Sequence, residues 1–398
     1  MSDLHIGYER FEEDSYKQAR EALEGAASAA DAVLIAGDIF DKRAPRPDVI
    51  AKAVDIFRDL SQMPWKARVA SYKSSNGGKS HTVVPVIVIS GTHERVAEGK
   101  DNVLSILALA GLVVDISEST AVLESDGEKV AVTGLGGVSE ERVRECLQKL
   151  DPRPVPGAFN VFMLHQSIYE LLPFDENIIR YEDLPKGFDL YINGHIHSRV
   201  EAVVHGKKFL IPGSTLLTQL KENEQERKGF ILFDTKSYTH EFKAIRSRPF
   251  TLVNLQFKDA TPKSIADSSE SAIEGILQKS GEKPIIRIVL QGTIAHGFTN
   301  ADMPLRGIVS RYSDRSFLEI DSSKLRSPDT EQEIESIREG TIGGMSIKEL
   351  GVNSFVSKLK EQKFDDGIDA RRLFEVLSGS SSKEKALKEA SELLESEK

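Results

Sequence analysis

Residues 31–41 read DAVLIAGDIFD, a short apolar run that ends in a glycine and two aspartates. The run is rich in branched aliphatic side chains and polar residues bound it, which is typical of a buried β-strand. Three more runs of this kind each end in a histidine or two residues before one: VVPVIVISG (83–91), FNVFMLH (159–165) and FDLYINGH (188–195). We predict that all four are buried strands.

Amphipathic stretches with helical periodicity separate these strands along the chain, at residues 14–30, 46–62 and 102–112. Such alternation predicts a layered α/β domain, which we place at residues 1–245 and which ends in late antiparallel strands at 205–215 and 228–235. The apolar faces of helices 46–62 and 102–112 fit either the core or a dimer interface.

The pattern changes after this first domain. Residues 246–321 hold two strand-like runs that flank a helical stretch at 262–279, and they predict a small second α/β domain. Residues 322–345 are polar and acidic and end in glycines, which predicts a linker. Residues 346–398 contain two short amphipathic helices and a helical tail.

Composition excludes several classes of protein. A chain of 398 residues, 39% hydrophobic and 29% charged, fits two or three globular domains, and it has no membrane-length apolar run and no signal peptide. A single cysteine fits a reducing compartment, so we expect a cytoplasmic protein. The net charge of −10 argues against non-specific coating of nucleic acid, although bound cations offset an acidic average locally in a nuclease.

Histidines and aspartates mark the ends of the predicted strands, where α/β sheets carry their sites. Imidazoles and carboxylates together suit manganese, iron or zinc, and so many ligands suit two ions that clamp a phosphoryl group. Each motif alone is weak, but the ordered set predicts a metal site. The candidates are Asp3, His5, Asp38, Asp41, His93, His165, His195 and His197.

The ordered set resembles the calcineurin-like metallophosphoesterase superfamily. SDLHIGYERF (2–11), GDIFDKR (37–43) and PGSTLLTQLKENEQERKGF (212–230) are similar to the meiotic-recombination-eleven family of double-strand break repair nucleases, called SbcD in bacteria. The resemblance implies a four-layer α-β-β-α sandwich in residues 1–245 and a DNA-binding capping domain in 246–321. It makes the C-terminal helices a docking region for a partner.

The resemblance also implies a two-metal site with two Mn²⁺ per subunit. One ion would be held by Asp3, His5 and His197 and the other by His165 and His195, with Asp38 bridging them, while His93 would act on the scissile phosphate. The family has an asparagine ligand where this chain has Thr92. Three alternatives follow: Thr92 coordinates, water fills the position, or the second ion binds weakly.

The implied activity is that of a 3′-to-5′ exonuclease on duplex DNA and an endonuclease on single strands. The implied partners are DNA ends and single strands, a second copy in a homodimer, and an SbcC-type coiled-coil ATPase. Two alternatives remain. One is another metallophosphoesterase phosphatase, which Lys42 after Asp41 and Ser90 before Gly91 disfavour. The other is a catalytically weak DNA-end-binding scaffold, which Thr92 keeps open.

Two further expectations concern the first hundred residues. The family has a strand before the D-x-H motif, so we expect residues upstream of this sequence, without which Asp3 and His5 would lie on a frayed terminus. The stretch 66–81 is basic and polar, and it predicts a flexible loop that is either solvated or in contact with phosphates through Lys66, Arg68, Lys73 and Lys79.

Overall fold

The structure is a computed structural model. It describes residues 1–72, 84–96, 101–173 and 176–328, and beyond these residues 349, 351–353, 355–356, 370–379, 387 and 390–391. The chain divides into two compact units, Met1–Phe250 and Thr251–Lys398. The capping-domain, linker and docking-region boundaries given above stay predictions.

The helices of the first unit are α1 (Glu12–Ala29), α2 (Pro47–Ser61), α3 (Leu104–Leu109) and α4 (Val143–Leu150). Its strands are β1 (Val33–Ala36), β2 (Arg68–Tyr72), β3 (Val86–Ile89), β4 (Val114–Asp115), β5 (Thr120–Ser125), β6 (Glu128–Leu135), β7 (Phe159–Leu164), β8 (Leu190–Asn193), β9 (Val200–Val204), β10 (Lys207–Ile211), β11 (Gly229–Asp234) and β12 (Thr239–Ala244). Single 3-10 turns lie at Glu9–Phe11, Tyr181–Asp183 and Glu222–Gln225.

The strands of the first unit form two main sheets and a hairpin. Strands β1, β3 and β4 form a parallel sheet in the order β1-β3-β4, and the larger sheet has the order β2-β5-β6-β7-β8-β10-β9. One core lies between α1–α3 and the small sheet, a second lies between the two sheets, and a third covers the outer face of the large sheet under α4. This is the α-β-β-α layering predicted from the sequence, so the fold class is confirmed.

The structure differs from the local predictions, or adds to them, at three places. Residues 68–72 form the edge strand β2, which pairs antiparallel with β5, and Arg68 forms an ion pair with Glu124. Its alternating polar residues resemble a loop because an edge strand is largely exposed. The β5–β6 hairpin, closed by Asp126 and Gly127, was not predicted, although that dipeptide is a hairpin signal. Finally, β10 is antiparallel to β9 but parallel to β8.

The expected frayed terminus is not observed either. The backbone N–H groups of Asp3 and His5 donate to the carbonyls of Gly37 and Asp38 at 3.0 and 3.1 Å. Residues 1–6 are buried, and Ser2 forms an isolated parallel bridge with Ser214. The first residues are therefore held along the end of β1. These contacts fix the positions of Asp3 and His5.

The second unit contains α5 (Pro262–Leu277), α6 (Leu305–Tyr312), α7 (Ala370–Gly379), β13 (Phe250–Ala260), β14 (Ile285–Ile294) and β15 (Phe317–Arg326), with a 3-10 turn at Asn300–Asp302. Its sheet has the order β13-β14-β15, and α5 and α6 pack on it over one apolar core. Strand β13 begins at the last residue of the first unit. Residues 329–345 of the predicted linker, with Lys73 and Lys79 of the predicted loop, lie outside the described residues.

No helix in the described ranges is long and apolar enough for a membrane span.

Candidate metal centre

The predicted site residues converge at one edge of the two sheets. Asp38 follows β1, Thr92 and His93 follow β3, His165 follows β7, and His195 and His197 follow β8, while Asp3 and His5 lie in the N-terminal segment beside the end of β1. Potential ligand atoms lie within 4.8 Å of one another in three overlapping groups: Asp3, His5 and His197; His5, Asp38 and His93; Asp3, Asp38 and His165. The shared members of these groups make them one continuous centre.

His195 and Thr92 lie next to this centre without belonging to any of the three groups. The His195 ring is 5.3 Å from the His165 ring, centroid to centroid, and its backbone N–H donates to Asp3 Oδ1 at 3.1 Å. Thr92 Oγ1 is 3.4 Å from His195 Nδ1. The structure therefore places Thr92 beside the ligand that the sequence associates with the second ion.

Glycines before the ligands let the strand ends approach closely. Gly37 has φ +84°, and a Cβ there would lie 2.4 Å from His165 Nδ1. A Cβ on Gly194 would lie 2.0 Å from the carbonyl oxygen of Ala36. A larger residue at either position would push His165 or the end of β1 out of place, which explains the glycine before both Asp38 and His195.

Four of the ten described non-glycine residues with a positive φ are candidate ligands. Asp3, His5, Asp38 and His195 have φ values of 54°, 47°, 52° and 72°, in the left-handed region that side chains other than glycine rarely adopt. Strained conformations persist only where the surrounding structure enforces them, and they cluster at functional sites.

Each histidine of the centre has one ring nitrogen held by an oxygen on its outer side. His165 Nδ1 is 2.8 Å from the Ala36 carbonyl, and because a carbonyl only accepts, this nitrogen carries a proton and Nε2 is the nitrogen that can bind a metal once it is deprotonated. His195 Nε2 is 3.1 Å from Ser167 Oγ, and His5 Nδ1 is 3.4 Å from Asp41 Oδ1. Such outer partners fix the tautomer and orientation of metal-ligating histidines.

The inward atoms fit metal ions. His5 Nε2 and His197 Nε2 face each other at 3.1 Å, a distance that requires a proton or a cation between them. Asp3 Oδ2 is buried and has no hydrogen-bond partner among the described residues. Four imidazoles with two carboxylates form a donor set for a divalent transition metal.

Electrostatics in the metal-free protein place protons where the cations would bind. Burial opposes the imidazolium of His165, but the Asp38 carboxylate outweighs burial and raises the pKa of His165 to about 9. Burial also opposes protonation of His5, yet its contacts with Asp41 and Asp3 raise the pKa of His5. Burial lowers the pKa of His197 to about 4, so this ring is neutral at pH 7.

Glu94 is a structural member of the centre to which the sequence analysis gave no role. Its carboxylate is fully buried and accepts the backbone N–H groups of Phe40 and Gly91 at 2.7 Å and of Asp38 at 3.1 Å. Burial, with the nearby charge of Asp38, raises the pKa of Glu94 to about 7. The G-T-H-E motif contains this residue, but no pattern around it indicates burial.

His93 differs from the other histidines of the centre because it is exposed. Its backbone N–H donates to Asp38 Oδ1 at 2.8 Å, and its ring lies edge-on to His5 with centroids 5.0 Å apart. His93 Nδ1 contacts the carbonyl of Asp41, which leaves Nε2 for an external group. The ring is thus held at the mouth of the centre.

A layered α/β sandwich with this histidine–aspartate set at its strand ends defines a metal-dependent phosphoesterase. The chain belongs to the calcineurin-like phosphoesterase family, whose model matches residues 1–199. The DNA double-strand break repair protein Mre11 of Sulfolobus acidocaldarius is 26% identical to it in an alignment of 316 residues that covers 74% of each chain.

Two plant relatives match a similar share of this chain. The double-strand break repair protein MRE11 of Arabidopsis thaliana is 25% identical over 343 residues, covering 72% of this chain and 47% of the plant protein. The MRE11 protein of Oryza sativa subsp. indica is 27% identical, with coverages of 72% and 50%. The chain therefore spans about half the length of these plant proteins.

Proposed function

We propose that this chain is a two-metal DNA nuclease of double-strand break repair, a 3′-to-5′ exonuclease on duplex ends and an endonuclease on single strands. The observation that carries the proposal is the centre itself, in which three imidazoles and two carboxylates meet at one sheet edge, with His195 next to them and the exposed His93 at the mouth. The relatives named as Mre11 direct the proposal toward DNA rather than a small phosphate ester.

The proposal includes two positions for Mn²⁺ in each subunit. Asp3, His5 and His197 would hold one ion and His165 and His195 the other, with Asp38 shared. Thr92 stands at the edge of the second position. Bound ions of this kind polarise a phosphoryl oxygen and lower the pKa of a water molecule.

His93 is the residue proposed to act on the substrate directly. The contact of Nδ1 with the Asp41 carbonyl orients the ring, so Nε2 is the nitrogen that can exchange a proton with a leaving oxygen or stabilise its charge. Because His93 is exposed while the ligand histidines are largely buried, its removal should leave the metal centre intact.

The proposed partners, in a cytoplasmic setting, are DNA, a second copy of the chain and an SbcC-type ATPase. Ile106 and Leu109 on α3 are 44% and 69% exposed and support a homodimer interface. The Phe355 ring lies 5.7 Å from that of Phe374 on α7, so the short C-terminal helices can present a joint apolar surface to the ATPase.

A catalytically weak scaffold is the second candidate, and Thr92 favours it. A hydroxyl is a poorer metal ligand than a carboxylate, an amide oxygen or an imidazole, so the second ion would bind less tightly.

The test is degradation of linear duplex DNA by the purified chain with Mn²⁺ or with a chelator. We expect manganese-dependent cutting that His93→Ala abolishes. The matched control is His205→Ala, which removes another exposed histidine, in the β9–β10 turn. One bound ion or none, without any cutting, would support the scaffold, whereas two bound ions without any cutting would contradict the nuclease.

A further inference from the structure

We infer that Glu224 and Lys228 form a buried positioning pair that fixes His197 as a metal ligand. The inference rests on the proposed function for the identity of the metal centre. Glu224 is 2% exposed and Lys228 4% exposed, although they belong to the stretch KENEQERK, whose composition is typical of a solvated surface. Lys228 Nζ lies 3.5 Å from Glu224 Oε1.

The carboxylate acts on the side chain of His197 through Thr218. Thr218 Oγ1 is 2.6 Å from His197 Nδ1 and donates to Glu224 Oε1 at 3.4 Å. An ionised carboxylate can only accept, so the Thr218 hydroxyl donates its single proton to Glu224. The same hydroxyl must therefore accept a hydrogen bond from His197. Nδ1 therefore carries the ring proton, and the lone pair is on Nε2, the atom that faces His5.

Backbone groups hold Glu224 in the orientation that this relay requires. Its Oε2 accepts the N–H groups of Gln219 and Leu220 at 2.7 and 2.6 Å, and its Oε1 accepts the N–H of Thr218 at 3.2 Å. Leu220 has φ +52°, the strained conformation that turns successive N–H groups toward one point. The chain between Thr218 and Glu224 is thus shaped around this carboxylate.

The ammonium group acts on the backbone of the same ligand. Lys228 Nζ donates to the His197 carbonyl at 3.3 Å and to Ser214 Oγ at 2.9 Å. Ser214 bridges Ser2, and the next residue, Thr215, donates its N–H to the Asp3 carbonyl at 3.3 Å. Glu224 therefore holds the His197 ring through Thr218, and Lys228 holds the His197 backbone. Through Ser214, Lys228 is also connected to the segment that carries Asp3.

A stabilising role alone does not account for this arrangement. Burying two charges costs several kcal/mol, and well-packed apolar side chains serve stability as well or better. What an apolar pair cannot do is set the tautomer of an imidazole. Outer partners of metal ligands typically change metal affinity by about 10- to 100-fold when they are removed.

The test is calorimetric titration of the full chain with Mn²⁺, for wild type and four variants. Thr218→Val removes the hydroxyl at nearly constant volume, and Thr218→Ser retains it. Glu224→Gln removes the charge that orients the hydroxyl. The matched control is Thr293→Val in the second unit, where a threonine hydroxyl likewise donates to a carboxylate, Asp259 Oδ1 at 3.2 Å, and accepts the backbone N–H of Asp259 at 3.0 Å.

We expect Thr218→Val and Glu224→Gln to weaken the binding of one of the two Mn²⁺ ions by at least about 10-fold. Thr218→Ser and Thr293→Val should bind both ions like wild type. The Thr218→Val and Thr293→Val chains should unfold at similar temperatures in chelator. An unchanged isotherm for Thr218→Val, equal weakening of both ions, or no rescue by serine would each overturn the inference. A wild-type chain that binds two ions but cuts no DNA contradicts only the proposed nuclease.

A second readout uses the metal-free protein. Long-range ¹H–¹⁵N spectra at pH 7 should show His197 as the Nδ1–H tautomer in wild type and a change of tautomer population in Thr218→Val. Identical tautomers in the two chains would contradict the relay, whatever the DNA cleavage assay shows.

Discussion

The Nε2 atoms of His5 and His197 lie 3.1 Å apart, and the outer nitrogen of each ring is held by an oxygen of Asp41 or Thr218. Two nitrogens that both present lone pairs at this distance repel each other unless a positive charge lies between them. In the metal-free protein a hydrogen shared between the two nitrogens fills this role, and the carboxylate neighbours of His5 raise its pKa against the effect of burial. Metal binding must therefore displace protons.

The first prediction is that Mn²⁺ affinity increases with pH up to about pH 9. Burial opposes the charge on His165, but Asp38 raises the pKa of His165 to about 9, so below that pH this ligand must lose a proton before it can bind metal. Affinity should rise about ten-fold per pH unit per proton released. Titration in two buffers of different ionisation enthalpy measures the released protons, and identical heats in both would contradict the prediction.

The second prediction concerns the stability of the metal-free chain. His165 has an ordinary pKa of 6.5 and a folded pKa of about 9, so its stabilising contribution is complete below 6.5 and is lost as pH rises through 9. Glu94 acts in the same direction, with a pKa raised from 4.5 to about 7 by burial and by Asp38. Burial lowers the pKa of His197 to about 4, so its contribution to stability is lost as pH falls below 6.5. This effect has the opposite sign to those of His165 and Glu94, but it is absent above pH 6.5.

Thermal unfolding in chelator should therefore show a falling midpoint from pH 6.5 to pH 9. Saturating Mn²⁺ should remove most of this dependence, because the cation replaces the protons on the ligands. His165→Gln, which cannot take up the proton, is the control and should flatten the metal-free profile. A midpoint that rises over this window in the wild-type chain would show that other groups dominate.

The sequence predicted the parts of this fold that depend on local pattern. The buried strands at 33–36, 86–89, 159–164 and 190–193 have continuous apolar runs, and the ligands that follow them are visible as motifs. The edge strand β2 was missed because edge strands face water and need no apolar alternation.

What the sequence could not indicate are contacts between distant segments. Glu224 and His197 are joined through Thr218, and neither the acidic stretch around Glu224 nor the single threonine carries a signal of burial. Glu94 is similar, because its three backbone donors include Asp38 and Phe40, more than fifty residues earlier in the chain. Such contacts follow from the close approach of strand ends, which only the folded chain defines.

The third prediction is that Thr92→Asn strengthens the binding of one metal ion. Thr92 Oγ1 lies 3.4 Å from His195 Nδ1, so its side chain points toward the second proposed position. An amide oxygen is a better ligand than a hydroxyl, and the asparagine side chain reaches further. Calorimetry with Mn²⁺ should show roughly ten-fold tighter binding of one ion, as an order of magnitude for one improved ligand. Thr92→Val is the control and should bind that ion no better than wild type.

The fourth prediction separates backbone strain from close approach at Gly37. Gly37 and Gly206 have φ values of +84° and +76°, so alanine is strained at both, at a cost of about 1 kcal/mol each. Only at Gly37 would the new Cβ also meet a ligand, His165 Nδ1 at 2.4 Å, while nothing lies within 4 Å of a Cβ on Gly206. Gly37→Ala should therefore lose Mn²⁺ binding, and Gly206→Ala should lower the free energy of unfolding slightly and bind Mn²⁺ like wild type. Equal Mn²⁺ affinity in the two folded variants would contradict this prediction. It would mean that Gly37 is required only for its backbone conformation, and that metal binding tolerates displacement of His165.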